Sequence, residues 1–478
     1  MPKFIFFIPF FLISTTFSQP KDSAFFTQEE LKEDLAFLYE TLQLSHYNLF
    51  ADTPKEVFDD AYTQINEKLR DSMSTLEISR LFQPFAALAL HGHCNTQLPF
   101  SPDYLEYMEA GGKVFPIEIR IEDRNIWIKH LYVDHEGISE GDQILSINGQ
   151  SKDQILDKIY AYYSGESEYL KNTILDLISF PRSYWLVFEH NDSFQLILQT
   201  SDGRKQEIQI AGMTANAFEE AFAELEYPFN TSRELGFYNE VAYLRPGEFM
   251  NANGSGNTSE VNSFDNGEFL QFIDSAFSEI HNQKSSSLIL DLRGNPGGDN
   301  SFSDPMLAYF VDQPFWFCSE FHIRTSPVTK AFWKKNEDTE LQELRDNILS
   351  HKDGETFEMT FQKYQPRTDS LKFQGKVYVL INRYSYSNTT ATAAIIKDYG
   401  FATLIGEATA DVPSTFGATH QFSLPHTGLN VSYPKAWIIR PNGDKFSKGV
   451  QPDHWVKEVY GNETDEVLEW TLRYIRDH

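Results

Sequence analysis

Cysteine is almost missing from this 478-residue chain: only Cys94 and Cys318 occur, far apart in sequence. That excludes a scaffold built on disulfides and points to two free thiols rather than one bridge. Basic charge is also scarce, with 40 Lys and Arg against 69 Asp and Glu and a formal net charge of −29. No Lys/Arg-rich run is present, which argues against nucleic-acid partners and against affinity for anionic membrane surfaces. The acidic excess reads as solubility rather than as selection of a basic substrate. Long apolar runs are lacking too, so no segment is a good transmembrane span and no stable membrane insertion is expected. The one apolar run, Phe4 to about Ile13 in "MPKFIFFIPFFLISTTFSQP", follows a Lys and precedes small residues. It predicts a secretory signal peptide, residues 1–18, and export to the periplasm or the outside. No Cys follows it to mark a lipid anchor. Clusters with metal-ligand spacing are lacking as well: "HGHC" has no second half, so neither metal nor other cofactor is expected.

What remains is a globular composition, 41% hydrophobic and 23% charged, in a chain long enough for two or three domains. Aromatics are plentiful at 15%, read mainly as core. Residues 19–100 predict a helical domain. "TQEELKEDLAFLYETLQ" has a capping-box start at Thr27 and Glu30, then Leu31, Leu35, Leu38 and Leu42 at helical spacing. Thr53-Pro54 and Ser74 read as the entries of two more helices, and the run stops at "HGHCNTQLP". Residues 101–213 predict a β domain. "FPIEIRIEDRNIWIKHL" alternates around a turn near Asp123 to Asn125, "ISEGDQILSINGQ" carries an Asn-Gly turn, and "QILDKIYAYYSG" is helical. "YWLVFEHNDSFQLILQTSDGRKQEIQI" reads as three strands. Residues 214–478 predict a layered α/β domain. Its strands are "VAYLRP", "SLILDLRG", "KVYVLIN" and "FATLIGEA", its helices lie near 266–282, 300–311 and 389–399, and Lys334 to Gln362 reads as a polar surface excursion.

Two strand-to-helix junctions in this last domain could carry chemistry. One is the glycine turn of "LILDLRGNPGG", where Gly294, Gly297 and Gly298 can adopt positive φ and expose N–H groups. The other is "RYSYSNTTATAA", where Ser387 precedes a helix whose N–H groups and dipole favour negative charge. If the junctions adjoin, a serine nucleophile faces an oxyanion site. From pattern alone, helix capping is the commoner use of Ser385 and Ser387.

Four segments in order, "LILDLRGNPGG", "VYVLINRYSYSNTTATAA", "LIGEATADVPSTFG" and "KGVQPDHWV", resemble the serine-peptidase superfamily of C-terminal processing peptidases, the tricorn core protease and interphotoreceptor retinoid-binding protein. Asp291, Arg293, Asn295, Gly297 and Gly298 match its first motif, Ser385-Tyr386-Ser387 its nucleophile turn, and Gly449, Val450, Pro452 and Asp453 its closing motif. The resemblance implies a multidomain α+β protein: an N-terminal helical bundle, a PDZ-like β middle domain and a ClpP/crotonase-like α/β catalytic domain. The PDZ likeness rests on "ISEGDQILSING", with "GGKVFPIEI" as its carboxylate-binding loop and edge strand. No Lys lies between Asp398 and Pro434, where the processing branch has its base. "LHGHCN" resembles the tricorn-like Leu-x-Asp-Gly-His, with His91 in place of the Asp, and implies His93 as the base. Ser387 is then the nucleophile, and the N–H groups of Gly297 or Gly298 and of Asn388 hold the oxyanion. The glutamate of the tricorn-like branch is missing near Phe446, and Asp444 is the nearest carboxylate to stand in for it. The resemblance thus implies an exported serine-type endopeptidase or carboxy-terminal-processing peptidase working through an acyl-enzyme on a peptide or protein substrate. The alternative is a weakened or inactive relative that binds a peptide or apolar ligand.

Overall fold

The computed structural model describes residues 25–225, 227–251, 265–335, 342–446, 448–458 and 464–478. The expected signal peptide lies outside them.

The N-terminal helices form where their caps and apolar spacing require. Thr27 and Glu30 make the reciprocal capping box of the helix Gln28–Ser45, and Ser74 and Glu77 make that of Thr75–Ala87. Between them lies Lys55–Lys68, which has no side-chain cap; Thr53 instead gives its hydroxyl to the Leu88 carbonyl. Leu31, Leu35, Leu38 and Leu42 are fully buried. This core does not close on itself. It also takes in Phe422, Leu424, Leu429, Val431 and Tyr433 from the long antiparallel hairpin Thr415–Ser423 and Asn430–Ile439. The buried Asp34 carboxylate fastens the two by accepting the N–H groups of His426 and Thr427, each at 2.9 Å.

A middle unit holds a twisted antiparallel sheet in the order Ile117–Glu122, Asn125–Leu131, Gln143–Ile147, Ser193–Gln199, Lys205–Ala211. The expected turns are present: Asp123 and Arg124 join the first pair at positive φ, and Asn148-Gly149 turns the chain after Ile147. One reading is corrected. The first of the three strands expected from "YWLVFEHN" is instead the end of the helix Phe180–Val187, preceded by another, Glu168–Ile178. Ser179 caps the second helix, and its apolar residues pack all round into the core, so no strand periodicity survived to be read. The core also continues past residue 213 through Ala215, Phe218 and Phe229.

The C-terminal part is built on a six-stranded sheet, in order Glu234–Tyr238, Val241–Arg245, Ser287–Asp291, Lys376–Ile381, Thr403–Gly406 and His454–Trp455. All pairs after the first are parallel. Helices Gly267–Asn282, Asn300–Leu307 and Asn388–Tyr399 cover one face and Glu466–Asp477 the other. The central strands are buried on both sides and so read as unbroken apolar runs. A second sheet extends the hairpin along the free edge of Asn430–Ile439: Glu320–Arg324, paired in turn with Thr356–Glu358, lies against its end and the two-residue strand Asn95–Thr96 against its start. The described part of the expected polar excursion is thus structured: Phe357, Met359 and Phe361 pack on Phe321 and Ile323. Cys94 and Cys318 are both free and buried.

Asp34→Ala should orphan two buried amides and release the helical layer from the hairpin. A loss of about 2–3 kcal/mol in unfolding free energy is expected, read as a lowered melting temperature; an unchanged melt would show that this contact is dispensable.

Candidate active site

The strands Ser287–Asp291 and Lys376–Ile381 are parallel neighbours, with Asp291 opposite Leu380. Their C-terminal junctions therefore emerge side by side. Leu292 N donates to Leu380 O at 2.9 Å, Gly294 N to Asn382 Oδ1 at 3.1 Å, and Tyr386 N to Asn295 O at 3.0 Å. Ser385 is fully buried; its hydroxyl donates to Leu292 O at 2.9 Å and accepts from Asn382 N at 3.1 Å. It ties one junction to the other and has no freedom to attack a substrate. Asp291 and Arg293 brace the glycine turn from below. The guanidinium grips Asp291 through Nε (3.0 Å) and Nη2 (2.8 Å) and spans to Asp465. Arg293 and Arg245 beside it hold the buried Asp291 carboxyl well below the usual range despite its burial.

Ser387 is different. It is the one partly exposed residue between Val379 and Thr390, and it sits at φ 52°, ψ −122°. Such a backbone is strained for a residue with a Cβ and persists only where neighbours enforce it. Here the enforcing group is Asp411, whose Oδ2 accepts the Ser387 N–H at 2.8 Å while Oδ1 accepts Val412 N at 2.9 Å. The Ser387 side chain does not cap the helix it precedes, and its hydroxyl has no hydrogen bond among the described residues. The next residue, Asn388, anchors its side chain on Ser303 Oγ at 3.0 Å.

Gly297 lies directly against this turn. A Cβ on it would stand 2.6 Å from Tyr386 O, 2.8 Å from Asn388 N and 2.9 Å from Ser387 Cβ, and its φ is +96°. Only glycine allows this approach. One expectation changes: the Gly297 N–H already donates to Asn295 Oδ1 at 2.9 Å. The N–H of Gly298 has no partner among the described residues, nor has that of Asn388. Gly298 is itself wedged in place, for a Cβ there would fall 2.0 Å from Phe249 O.

His93 reaches the same place from the other end of the chain. It precedes the strand Asn95–Thr96, whose pairing with Ser432 and Val431 fixes the loop to the second sheet. Its half-buried ring lies 5.6 Å, centroid to centroid, from that of Tyr386, the neighbour of Ser387. Nδ1 is buried without a hydrogen-bond partner, and no ring nitrogen is bonded to Ser387. Burial pushes the ring below the usual imidazole value; the Glu166 charge opposes this and His91 adds to it. His91 itself is committed elsewhere. Asn48 N donates to His46 Nδ1 (3.1 Å), which leaves His46 Nε2–H for His91 Nδ1 (3.2 Å) and His91 Nε2–H for Asp52 Oδ2 (2.8 Å). This chain of bonds fixes the loop on which His93 stands.

Asp444 does not join the group. It is exposed, its Oδ1 accepts Phe446 N at 3.1 Å, and its own N–H donates to Asn442 Oδ1 at 2.9 Å. A short carboxylate in a polar turn is satisfied by the nearest amides, and Asp444 shapes its own loop. Phe446 beside it is 94% exposed. The closing motif is structural: Val450 N donates to Thr409 Oγ1 at 2.8 Å, and Asp453, ion-paired with Lys397, accepts Leu404 N at 2.8 Å. Two carboxylates that sequence reading missed do gather here. One is Asp411, inside "GEATADVPSTFG"; burial pushes its carboxyl up to about 6, against the pull of the Ser387 and Val412 amides. The other is Glu166 of the middle unit, which accepts Gly92 N through Oε2 and Thr415 Oγ1 through Oε1, both at 3.3 Å. Burial, with Asp411 nearby, raises its carboxyl too. Neither stands in a spacing that announces it.

The folded chain binds the Asp411 proton more tightly than the unfolded chain does, so this group lowers stability as pH rises from about 4 to about 6. Asp411→Asn removes that slope, whatever constant cost its weaker acceptors bring. The melting temperature of the variant relative to wild type should therefore climb between pH 4 and pH 7, by the equivalent of about 3 kcal/mol at most. A difference independent of pH would show that Asp411 stays ionised throughout.

The family model described as Peptidase family S41 matches residues 259–456. Among solved structures, mature CPAF is similar over 90% of this chain and 92% of its own, at 16% identity and a TM-score of 0.57. CPAF complexed with lactacystin is similar over 89% and 93%, at 16% identity and a TM-score of 0.58. At such identities the likeness is one of fold. The photosystem II D1 C-terminal processing protease is similar over 89% and 92% at 14% identity, with a TM-score of 0.39, too low to argue from.

Proposed function

We propose that this chain, whose residues 259–456 match the Peptidase family S41 model, is a serine-type peptidase that cleaves peptide or protein substrates through an acyl-enzyme on Ser387, with His93 as base and acid. The observation that carries this reading is the Ser387 turn. A strained, partly exposed serine with an uncommitted hydroxyl stands against a glycine turn, and one backbone N–H on each side of the contact, Gly298 and Asn388, has no partner among the described residues. In acylation the Ser387 oxygen attacks the substrate carbonyl and its proton passes to the His93 ring. The Asn388 and Gly298 N–H groups take the developing oxyanion, with Gly297 holding the two turns at contact distance. The protonated ring then gives its proton to the leaving amine, and water reverses the sequence on the ester.

The finer reading is that of an exported processing peptidase whose middle unit is PDZ-like and holds the substrate chain. The amino-terminal apolar run supports export. The "ISEGDQILSING" strand and turn, together with the sheet-edge strand Ile117–Glu122, support the middle-unit reading.

A fluorophosphonate probe tests the nucleophile. Wild type should label at Ser387 and Ser387→Ala should not label at all. Ser385→Ala should label, at a somewhat reduced melting temperature, because it loses only the tether to Leu292 and Asn382. Labelling that survives Ser387→Ala and disappears in Ser385→Ala would reverse the assignment.

Gly297→Ala places a methyl group against Tyr386 O and Asn388 N and so pushes the donor turn off the nucleophile. The labelling rate should fall about a hundredfold or more, the scale of losing one oxyanion donor. A folded Gly297→Ala protein that labels at the wild-type rate would remove this contact from the mechanism.

A further inference from the structure

Proton transfer to His93 creates a difficulty that the Ser387 turn does not solve. Once the ring is protonated both nitrogens are donors, yet Nδ1 is buried with no acceptor. A buried cation needs an anion close by. Of the carboxylates around it, Asp444 is exposed and bound to its own loop. Asp52 is bound to His91, and Asp411 spends one oxygen on Ser387 N and the other on Val412 N. Glu166 remains. Its two bonds are both long, at 3.3 Å, and one of them comes from Gly92, the residue before His93. A carboxylate has about four lone-pair sites, so acceptor capacity is left. A Cβ on Gly92 would lie 3.5 Å from Glu166 Oε2 and 3.3 Å from the Tyr386 hydroxyl, which puts carboxylate, base loop and nucleophile turn around one point.

The middle unit holds Glu166 there firmly. It precedes Ser167, whose hydroxyl caps the helix Glu168–Ile178 by accepting Leu170 N at 3.1 Å. That helix is bolted to the nucleophile turn. Asp176 accepts the Tyr384 hydroxyl at 3.0 Å, Thr173 Oγ1 accepts Arg383 Nε at 3.0 Å, and the Tyr169 hydroxyl donates to Ala408 O at 3.3 Å.

We propose that Glu166 is the positioning carboxylate of His93, supplied by the middle unit in place of the acidic residue missing near Phe446. The proposal rests on the reading of Ser387 and His93 as the reacting pair. As the bond from Ser387 Oγ to the carbonyl carbon forms, the carbonyl π pair moves onto oxygen and the hydroxyl proton moves to the His93 ring. Glu166 stays ionised and receives no proton; its charge holds the imidazolium and its orientation until the leaving amine takes the proton. The other groups facing His93 are His91 and the Tyr386 phenol, with Asp411 acting on Tyr386 and Glu166.

The test compares wild type with Glu166→Gln, which keeps the size and a hydrogen-bonding end but loses the charge, and with Glu166→Asp. Histidine ring NMR gives the His93 titration, and fluorophosphonate labelling across pH gives the acylation rate. In Glu166→Gln the His93 titration should move to lower pH, the acid limb of labelling should move with it, and the plateau rate should fall at least about tenfold. Glu166→Asp should recover part of each. A His93 titration unchanged in Glu166→Gln overturns the proposal, whether or not the labelling rate drops, because a drop alone is what a purely structural role would give. If wild type fails to label at Ser387 while the His93 titration still shifts in Glu166→Gln, the coupling stands and the peptidase reading falls.

Discussion

Everything at this site depends on two parallel strands ending at the same level. The pairing of Ser287–Asp291 with Lys376–Ile381 sets Leu292 beside Leu380, and the bonds from Ser385, Asn382 and Tyr386 carry that register into the two turns beyond. Without it the Gly297 backbone could not lie against Asn388 N. The ligand end of a parallel α/β sheet is the carboxyl end of its strands, and here the chain spends a buried serine, an asparagine and an ion-paired arginine to keep two such ends in contact. The two serines of one turn divide the labour: Ser385 builds the junction and Ser387 stands on it.

The site is also an electrostatic compromise. Asp411 enforces the backbone of Ser387, yet it is buried and pushed up to about 6. His93 is held below its ordinary value by the same burial, and Glu166 works against that. The Glu166 carboxylate favours the charged form of the His93 ring, against the burial that favours the neutral one. Such an arrangement costs folding stability and favours proton transfer.

The three parts of the chain are not independent bodies around this centre. The N-terminal helices share a core with the hairpin Thr415–Ser423 and Asn430–Ile439, which follows Ser387 in sequence. The middle unit reaches the Ser387 turn through Arg383 and Tyr384, and Ala408 beside it through Tyr169. The His93 loop is fastened at Asn95–Thr96 and by the run from Asn48 through His46 and His91 to Asp52.

Local regularities were legible in the residues. The capping boxes at Thr27 and Ser74, the central strands and the Asn148-Gly149 turn follow from short-range periodicity and turn chemistry, because those signals are local. Ser387, His93 and the glycine turn could be picked out because their motifs are compact. Helix Phe180–Val187 was lost because a helix buried on all sides has no polar face to reveal its period. Asp444 is the nearest carboxylate along the chain, and the fold gives nearness a different meaning: its exposed carboxylate accepts the Phe446 amide of its own loop. Glu166 and Asp411 could not be found the same way, since an isolated carboxylate has no pattern until burial removes its water and a partner is folded against it. The chain's order therefore carried the elements, the caps and the motif residues. Which carboxylate lies near His93, and which amides of the two turns are left without a partner among the described residues, depended on long-range packing, where desolvation and hydrogen-bond competition are settled.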